Sequence, residues 1–138
     1  MPAKTYDFVW TVGADFIRDI WLKSGADADL RGSIIKMELR NPVNDDLILS
    51  ASTDHTVTPL ARVIGGYGVI TVHIEDSIVP DLTGLPDGYV SEPIPSPDRP
   101  TTVYSAYCVY GLSVERLDGI VFELMRGKVG FRQMIAAI

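Results

Sequence analysis

The alternation of apolar and polar residues from position 33 to 40 limits what this chain can fold into more than any other feature. The segment reads Ser-Ile-Ile-Lys-Met-Glu-Leu-Arg, so Ile35, Met37 and Leu39 share one face while charged residues occupy the other. A helix would mix the two sets, whereas a strand keeps them apart. Pro42 follows, and proline cannot donate a hydrogen bond to a sheet. The segment therefore predicts a half-buried strand.

Apolar and β-branched runs of similar length recur along the chain, separated by Gly, Pro and Asp. Helix signals are limited to one possible turn near Asp76, which Pro80 restricts, and to 133–138, which could form a short helix or an arm. We expect Trp10 and Trp21 to lie in the core, Gly127 to mark a bulge or turn, and 118–119 to form a type I′ hairpin turn. About nine short strands indicate a β-sandwich or a β-barrel with little helix. The predicted strands are 6–12, 15–23, 33–40, 47–52, 61–64, 68–74, 103–112, 120–125 and 128–131.

Length and composition narrow the class of protein. The chain has 138 residues, 46% of them hydrophobic, which is enough for one domain with its own core, so we treat 1–138 as a single domain. The formal net charge of −6 argues against binding nucleic acid or an anionic membrane, because both need clustered Lys and Arg. No apolar run reaches the length of a membrane span, and no signal peptide is visible. We expect a soluble protein that is not exported by itself.

Cys108 is the single cysteine of the chain, so an intrachain disulfide is impossible. It lies inside an apolar run, where a free cysteine behaves as a small buried hydrophobe. This composition suits assembly in a reducing cytoplasm.

Two segments stand out as candidates for contact with partner proteins. Residues 80–100 contain six of the nine prolines and predict a long surface loop, which either makes functional contacts or only pads the surface. Residues 132–138 form an apolar C-terminal arm that either closes the domain's own core or docks on a neighbour. An exposed tyrosine from the 103–110 run adds a third candidate. The predicted contact residues are Ile94, Pro95, Pro97, Tyr104, Met134, Ile135 and Ile138.

The search for catalytic or metal-binding residues yields little. His73 and Glu75 would share one face of a strand and supply two metal ligands, but a third ligand is missing from the pattern. His55 and His73 are therefore interpreted as exposed or locally hydrogen-bonded. The chain contains no Gly-x-Ser-x-Gly motif, and its glycine-rich stretch at 65–68 lacks the lysine of a phosphate loop. We expect no enzyme activity and no cofactor or metal.

A series of short motifs follows a fixed order along the chain: Gly-Ala-Asp-Phe at 13–16, Ile-Trp at 20–21, Asp-Leu-Arg-Gly at 29–32, an amphipathic strand at 34–40, a Tyr-rich strand at 104–112, Asp-Gly at 118–119 and Gly-Lys-Val at 127–129. This order resembles that of a small immunoglobulin-like domain of tailed bacteriophages, including the N-terminal domain of phage baseplate upper proteins. The similarity covers roughly 6–131, with Arg31 in place of the usual threonine and with a longer Pro-rich stretch. The order and spacing of the motifs together carry the resemblance.

The resemblance implies an Ig-like antiparallel β-sandwich and a structural role in the virion, in the tail or baseplate. It implies partners among other virion proteins, or further copies of the chain, and assembly in the host cytoplasm. It offers no catalytic residues. Two alternatives stay open: a head decoration protein, or a carbohydrate-binding β module that uses exposed tyrosines, Tyr104 and Tyr107, for host recognition.

Overall fold

The computed structural model describes residues 4–22, 29–54, 59–92 and 102–133. Within these ranges the protein is all-β, without an α-helix and with one short 3-10 turn, Asp76–Ile78. None of the described segments contains a helix able to cross a membrane. The strands are β1 (Lys4–Thr5), β2 (Phe8–Val12), β3 (Phe16–Trp21), β4 (Ile34–Arg40), β5 (Leu47–Ser52), β6 (Ala61–Gly65), β7 (Val69–Ile74), β8 (Asp87–Ser91), β9 (Thr102–Glu115) and β10 (Val121–Gln133).

The strands hydrogen-bond into one curled sheet that forms a half-barrel. Its order is β1-β10-β9-β4-β5-β6-β7-β3, and β2 and β8 join the long strands β10 and β9. Most pairs are antiparallel, as expected, but β1 and β2 both run parallel to β10, and β5 meets β6 in a single parallel pair. The long β9–β10 hairpin is the centre of this sheet because four other strands pair with it.

The prediction of one long loop over 80–100 is wrong in its middle part. Residues Asp87–Ser91 form β8, which pairs antiparallel with the start of β9. The prolines on both sides hid this strand, because proline signals turns while five residues suffice for a short strand. Residues 93–101, and with them Ile94, Pro95 and Pro97, lie outside the described part of the chain.

Three further details differ from the predicted strands and turns. Gly127 is neither bulge nor turn, since it pairs with Tyr110 inside β10, and the register shifts between Glu123 and Met125 instead. The 118–119 turn does join two strands, but only Gly119 has a positive φ of 87°, so it is not type I′, which needs two such residues. Residues 132–133 belong to β10, and 134–138 of the predicted arm are outside the described residues.

The main core fills the inside of the curled sheet. Ile35, Met37 and Leu39 of β4 are buried there, which confirms the alternation from which the strand was predicted. Aromatic rings close one end: the Phe16 ring centroid lies 5.6 Å from those of Phe8 and Trp10. These contacts bring β3 next to β2, although the two strands share no ladder.

Arg18 crosses the gap between β3 and β2. Its guanidinium donates to the Val9 carbonyl at 2.5 Å and to the Glu92 carboxylate at 3.1 Å. The same group lies 4.6 Å from the centroid of the Phe16 ring. A charged side chain over the open edges of two strands opposes their pairing with another chain. We infer that Arg18 shields the gap in the half-barrel.

A small outer cluster covers the other face of β2. Phe8 and Trp10 of this strand point into the main core, and Val9 between them packs with Val90 and Val103. β8 and the start of β9 therefore lie against the outside of the half-barrel. Burial on both faces explains why β2 lacks polar alternation.

Cys108 should not react with a thiol reagent at pH 8 while the protein is folded. Its side chain is fully buried in β9, and burial raises the pKa of the thiol to about 12, so the reactive thiolate is nearly absent. The thiol of the unfolded chain has a pKa near 9.0. The contribution of the buried neutral thiol to the free energy of unfolding is therefore complete below this pH and falls as the pH rises towards 12. Ellman's reagent, applied across a urea series at pH 8, should label the unfolded fraction only. Labelling of native protein at the rate of a free thiol would contradict this placement.

Candidate functional site

Two exposed tyrosines form a pair on the outer surface of β8 and β9. Tyr89 and Tyr104 stand directly opposite each other in the ladder, and their ring centroids are 4.9 Å apart at an interplanar angle of 60°. Tyr89 is 70% exposed and Tyr104 is 63% exposed. Because Val90 and Val103 point into the outer cluster, strand alternation turns both tyrosines to solvent. We call Tyr89 and Tyr104 the tyrosine pair.

Close packing beneath β8 holds the tyrosine pair in place. A Cβ at Gly88 would lie 2.8 Å from a Tyr107 ring carbon, so only glycine lets this ring pack directly on the strand. The Tyr107 amide donates to the Pro86 carbonyl at 3.0 Å, and the Lys128 ammonium lies 5.0 Å from the ring centroid. Tyr107 is therefore a support of β8, whereas Tyr104 is exposed as predicted and Tyr110 is buried in the main core.

Polar side chains flank the tyrosine pair along the same face. Ser91 and Thr102 are opposite each other, and their hydroxyl oxygens are 2.5 Å apart. Asp87 lies two residues to the other side of Tyr89, opposite Ala106, and is exposed. The face thus carries hydroxyls, two aromatic rings and a carboxylate in sequence along the strand.

A second exposed surface lies on the outside of β3, β7 and β6. Ile17, Trp21 and Ile64 are exposed, and Val69, which is opposite Trp21 in the ladder, is half-buried. We call these four residues the Trp21 face. Asp19 and Thr71 lie among them, and the Thr71 hydroxyl donates to the Asp19 carboxylate at 2.9 Å.

The prediction that Trp21 lies in the core is wrong, since the residue is 75% exposed. Phe16 and Ile20 of β3 pack on the core, and Trp21 has the opposite parity, so it must point outwards. Strand alternation predicts this outward position, whereas the size and apolarity of the side chain alone favour the core. Trp10 is buried at 1% exposure, as predicted.

His73 is engaged in a side-chain hydrogen-bond network with Asp15 and Arg62. Its Nε2 lies 2.8 Å from the Asp15 carboxylate and its Nδ1 lies 3.3 Å from the Arg62 guanidinium. The hydrogen bond from His73, with a second from the Asp76 amide, lowers the pKa of Asp15. Among the described residues no three metal-ligating side chains are grouped to hold an ion. His55 lies outside the described residues.

A shallow groove of about 660 Å³ runs over the outer face of β4, β9 and β10. Its lining has four acidic and three basic side chains, and four of these seven form two ion pairs. Arg40 contacts Glu38 at 3.4 Å, and Arg126 contacts Glu123 at 2.7 Å. Paired charges leave little net field to attract a charged ligand. The groove is therefore a weaker candidate than the two surfaces above.

No family model and no curated protein matches this chain. Of the predicted contact residues, Tyr104 is on the tyrosine pair, whereas Ile94, Pro95, Pro97, Met134, Ile135 and Ile138 fall outside the described residues. Sequence reasoning missed Tyr89, because it was assigned to a loop, and missed the apolar side of the Trp21 face.

Proposed function

We propose that this protein is a structural component of a tailed-phage virion, in the tail or baseplate, and acts through contacts with other virion proteins. The phage context and the Ig-like relationship rest on the order of sequence motifs alone. The contact role is supported by one observation, the Trp21 face. The proposal assigns the protein no enzyme activity.

The composition of the Trp21 face is what makes it suitable for a protein partner. Tryptophan is among the residues that contribute most to protein interfaces, and aliphatic neighbours help to exclude water around it. Ile17 and Trp21 of β3 and Ile64 of β6 are exposed on the same sheet, on either side of β7. Binding through these side chains costs little conformational entropy, because the hydrogen-bonded strands already fix the backbone that carries them. We assign this face to a neighbouring virion protein.

Mass spectrometry of purified phage particles tests the assignment to the virion. We expect peptides of this protein at a copy number that is stoichiometric with other tail or baseplate proteins. Electron microscopy of particles labelled with an antibody to the protein would then separate the tail and baseplate from the head, where a decoration protein would lie. Absence from particles contradicts the proposal.

Trp21→Arg tests the contact surface separately. Because Trp21 is exposed, the variant should fold normally yet be depleted from particles by about tenfold or more, as expected for loss of a central aromatic contact. Val43→Arg is the matched control, since Val43 is equally apolar and exposed but lies in the turn between β4 and β5. Equal incorporation of both variants would exclude the Trp21 face as the contact.

A further inference from the structure

We propose that the tyrosine pair is a binding site for a neutral oligosaccharide. This inference concerns a different pair of strands from the Trp21 face and does not depend on the protein being part of a virion. It rests on the exposure of Tyr89 and Tyr104, the polar residues beside them, and the charge of the surface.

The two rings provide the apolar part of such a site. The face of an aromatic ring carries partial negative charge, and the C–H groups on one side of a sugar ring carry partial positive charge, so the two pack favourably. Tyr89 and Tyr104 pack edge to face, with ring centroids 4.9 Å apart and ring planes inclined at 60°. Both residues stay largely exposed, at 70% and 63%, so each offers ring surface that a sugar can contact. Their phenol groups can also hydrogen-bond to sugar hydroxyls.

The flanking side chains provide hydrogen-bonding groups at both ends. Ser91 and Thr102 offer hydroxyls that donate and accept, and the Asp87 carboxylate accepts. Asp87 and Ser91 are four residues apart on an extended strand, about 14 Å along its axis. This stretch is longer than one sugar ring, so the site suits an oligosaccharide better than a monosaccharide.

Rigidity and charge narrow the ligand class. β8 is held by the Tyr107 ring against Gly88 and by Val90 in the outer cluster, so the rings need little ordering when a ligand binds. Asp87 lies on the face itself and the whole chain has a net charge of −6, which disfavours sialylated or phosphorylated glycans. Asp87, Ser91 and Thr102 flank the tyrosine pair without an aliphatic side chain among them. The Trp21 face instead combines Ile17, Ile64 and Val69 with its polar Asp19 and Thr71, so we assign sugar rather than protein to the tyrosine pair.

Titration of isotopically labelled protein with neutral and acidic oligosaccharides tests the site. The probes are maltotriose, chitotriose and sialyllactose, each added up to about 10 mM, a concentration range suited to weak binding. Binding is followed through the chemical shifts of the backbone amides. We expect saturable shifts in β8 and the start of β9 with at least one neutral probe and none with sialyllactose. No shift with either neutral probe, or preferential binding of the acidic one, overturns the proposal.

Three alanine variants separate direct contact from indirect effects. Tyr89→Ala and Tyr104→Ala should each weaken binding of the responding sugar by about tenfold, the order expected for one aromatic contact. Tyr67→Ala should leave it unchanged, since Tyr67 is also 70% exposed but lies between β6 and β7. Urea unfolding of each variant checks that the fold is retained.

Equal affinity of all three variants for the sugar overturns the proposal. If instead loss of the pair abolishes particle incorporation while sugar never binds, the face is a protein contact.

Discussion

Trp10→Ala should lower the free energy of unfolding by about 3–5 kcal/mol, while Trp21→Ala should change it by less than about 0.5 kcal/mol. Trp10 is 1% exposed and Trp21 is 75% exposed, so the same substitution removes a core contact in one case and a surface side chain in the other. A domain of this size has a total stability of roughly 5–15 kcal/mol, so the first change threatens folding at ambient temperature.

The contacts of Trp10 explain the size of the expected loss. Its ring centroid lies 5.6 Å from those of Phe16 and Phe131, and its indole N–H donates to the Ala14 carbonyl at 2.9 Å. Alanine would leave a cavity where β2, β3 and β10 meet, and it would remove the donor that holds the turn at Ala14. The aromatic end of the main core depends on this side chain.

Urea unfolding followed by circular dichroism measures both variants, and tryptophan fluorescence gives an independent check. Trp21→Phe leaves only the buried indole and should shift emission to shorter wavelength. Trp10→Phe leaves only the exposed indole and should shift emission to longer wavelength. If the two alanine variants have equal midpoints, the assignment of inner and outer faces in β2 and β3 is wrong.

Gly127→Ala should destabilise the protein by about 1–3 kcal/mol or more through a backbone clash. A Cβ at this position would overlap the Tyr6 carbonyl oxygen and approach the Asp7 carboxylate to 2.8 Å. The same carbonyl accepts a hydrogen bond from the Tyr110 hydroxyl, and the Asp7 carboxylate accepts one from the Lys128 amide at 2.9 Å. The added methyl group would push the chain between β1 and β2 away from β10 and weaken both bonds.

Gly111→Ala is the matched control for this substitution. Gly111 pairs with Arg126 in the same hairpin, but a Cβ there would meet its nearest neighbour, a Glu123 carboxylate oxygen, at an ordinary 3.9 Å. We expect no loss, and a gain of up to about 1 kcal/mol, because alanine restricts the unfolded chain. Urea titrations measure the unfolding midpoint of each variant. The midpoints report the difference in stability if the dependence of the free energy of unfolding on urea concentration is unchanged. Destabilisation by Gly111→Ala equal to that by Gly127→Ala would show that loss of glycine itself, not the clash, is responsible.

The strands with clear alternation were predictable from the sequence, and those buried on two faces or flanked by proline were not. β4 and β7 carry their inward residues at every second position, and both were predicted close to their observed bounds. β8 was missed because its pairing partner, β9, decides that five residues among prolines form a strand. Local signals for turns do not contain that information.

The candidate surfaces were predictable only in part. Tyr104 was predicted as a contact residue, and it is exposed, but its partner Tyr89 comes from the unpredicted β8. Trp21 was assigned to the core although its parity relative to Phe16 favoured the outside. For surfaces of this kind, strand parity is a better guide than side-chain hydrophobicity.

The sequence by itself determined that the chain is all-β and which residues of each alternating strand share a face, because this periodicity is a local property of extended backbone. Only the tertiary structure decided that β2 runs parallel to β10 and that the sheet curls into a half-barrel. It also decided that β8 covers Val9, which leaves Tyr89 and Tyr104 exposed and Tyr107 as their support. The second face of a strand is buried only where a strand distant in sequence packs against it, and local sequence patterns do not predict that contact.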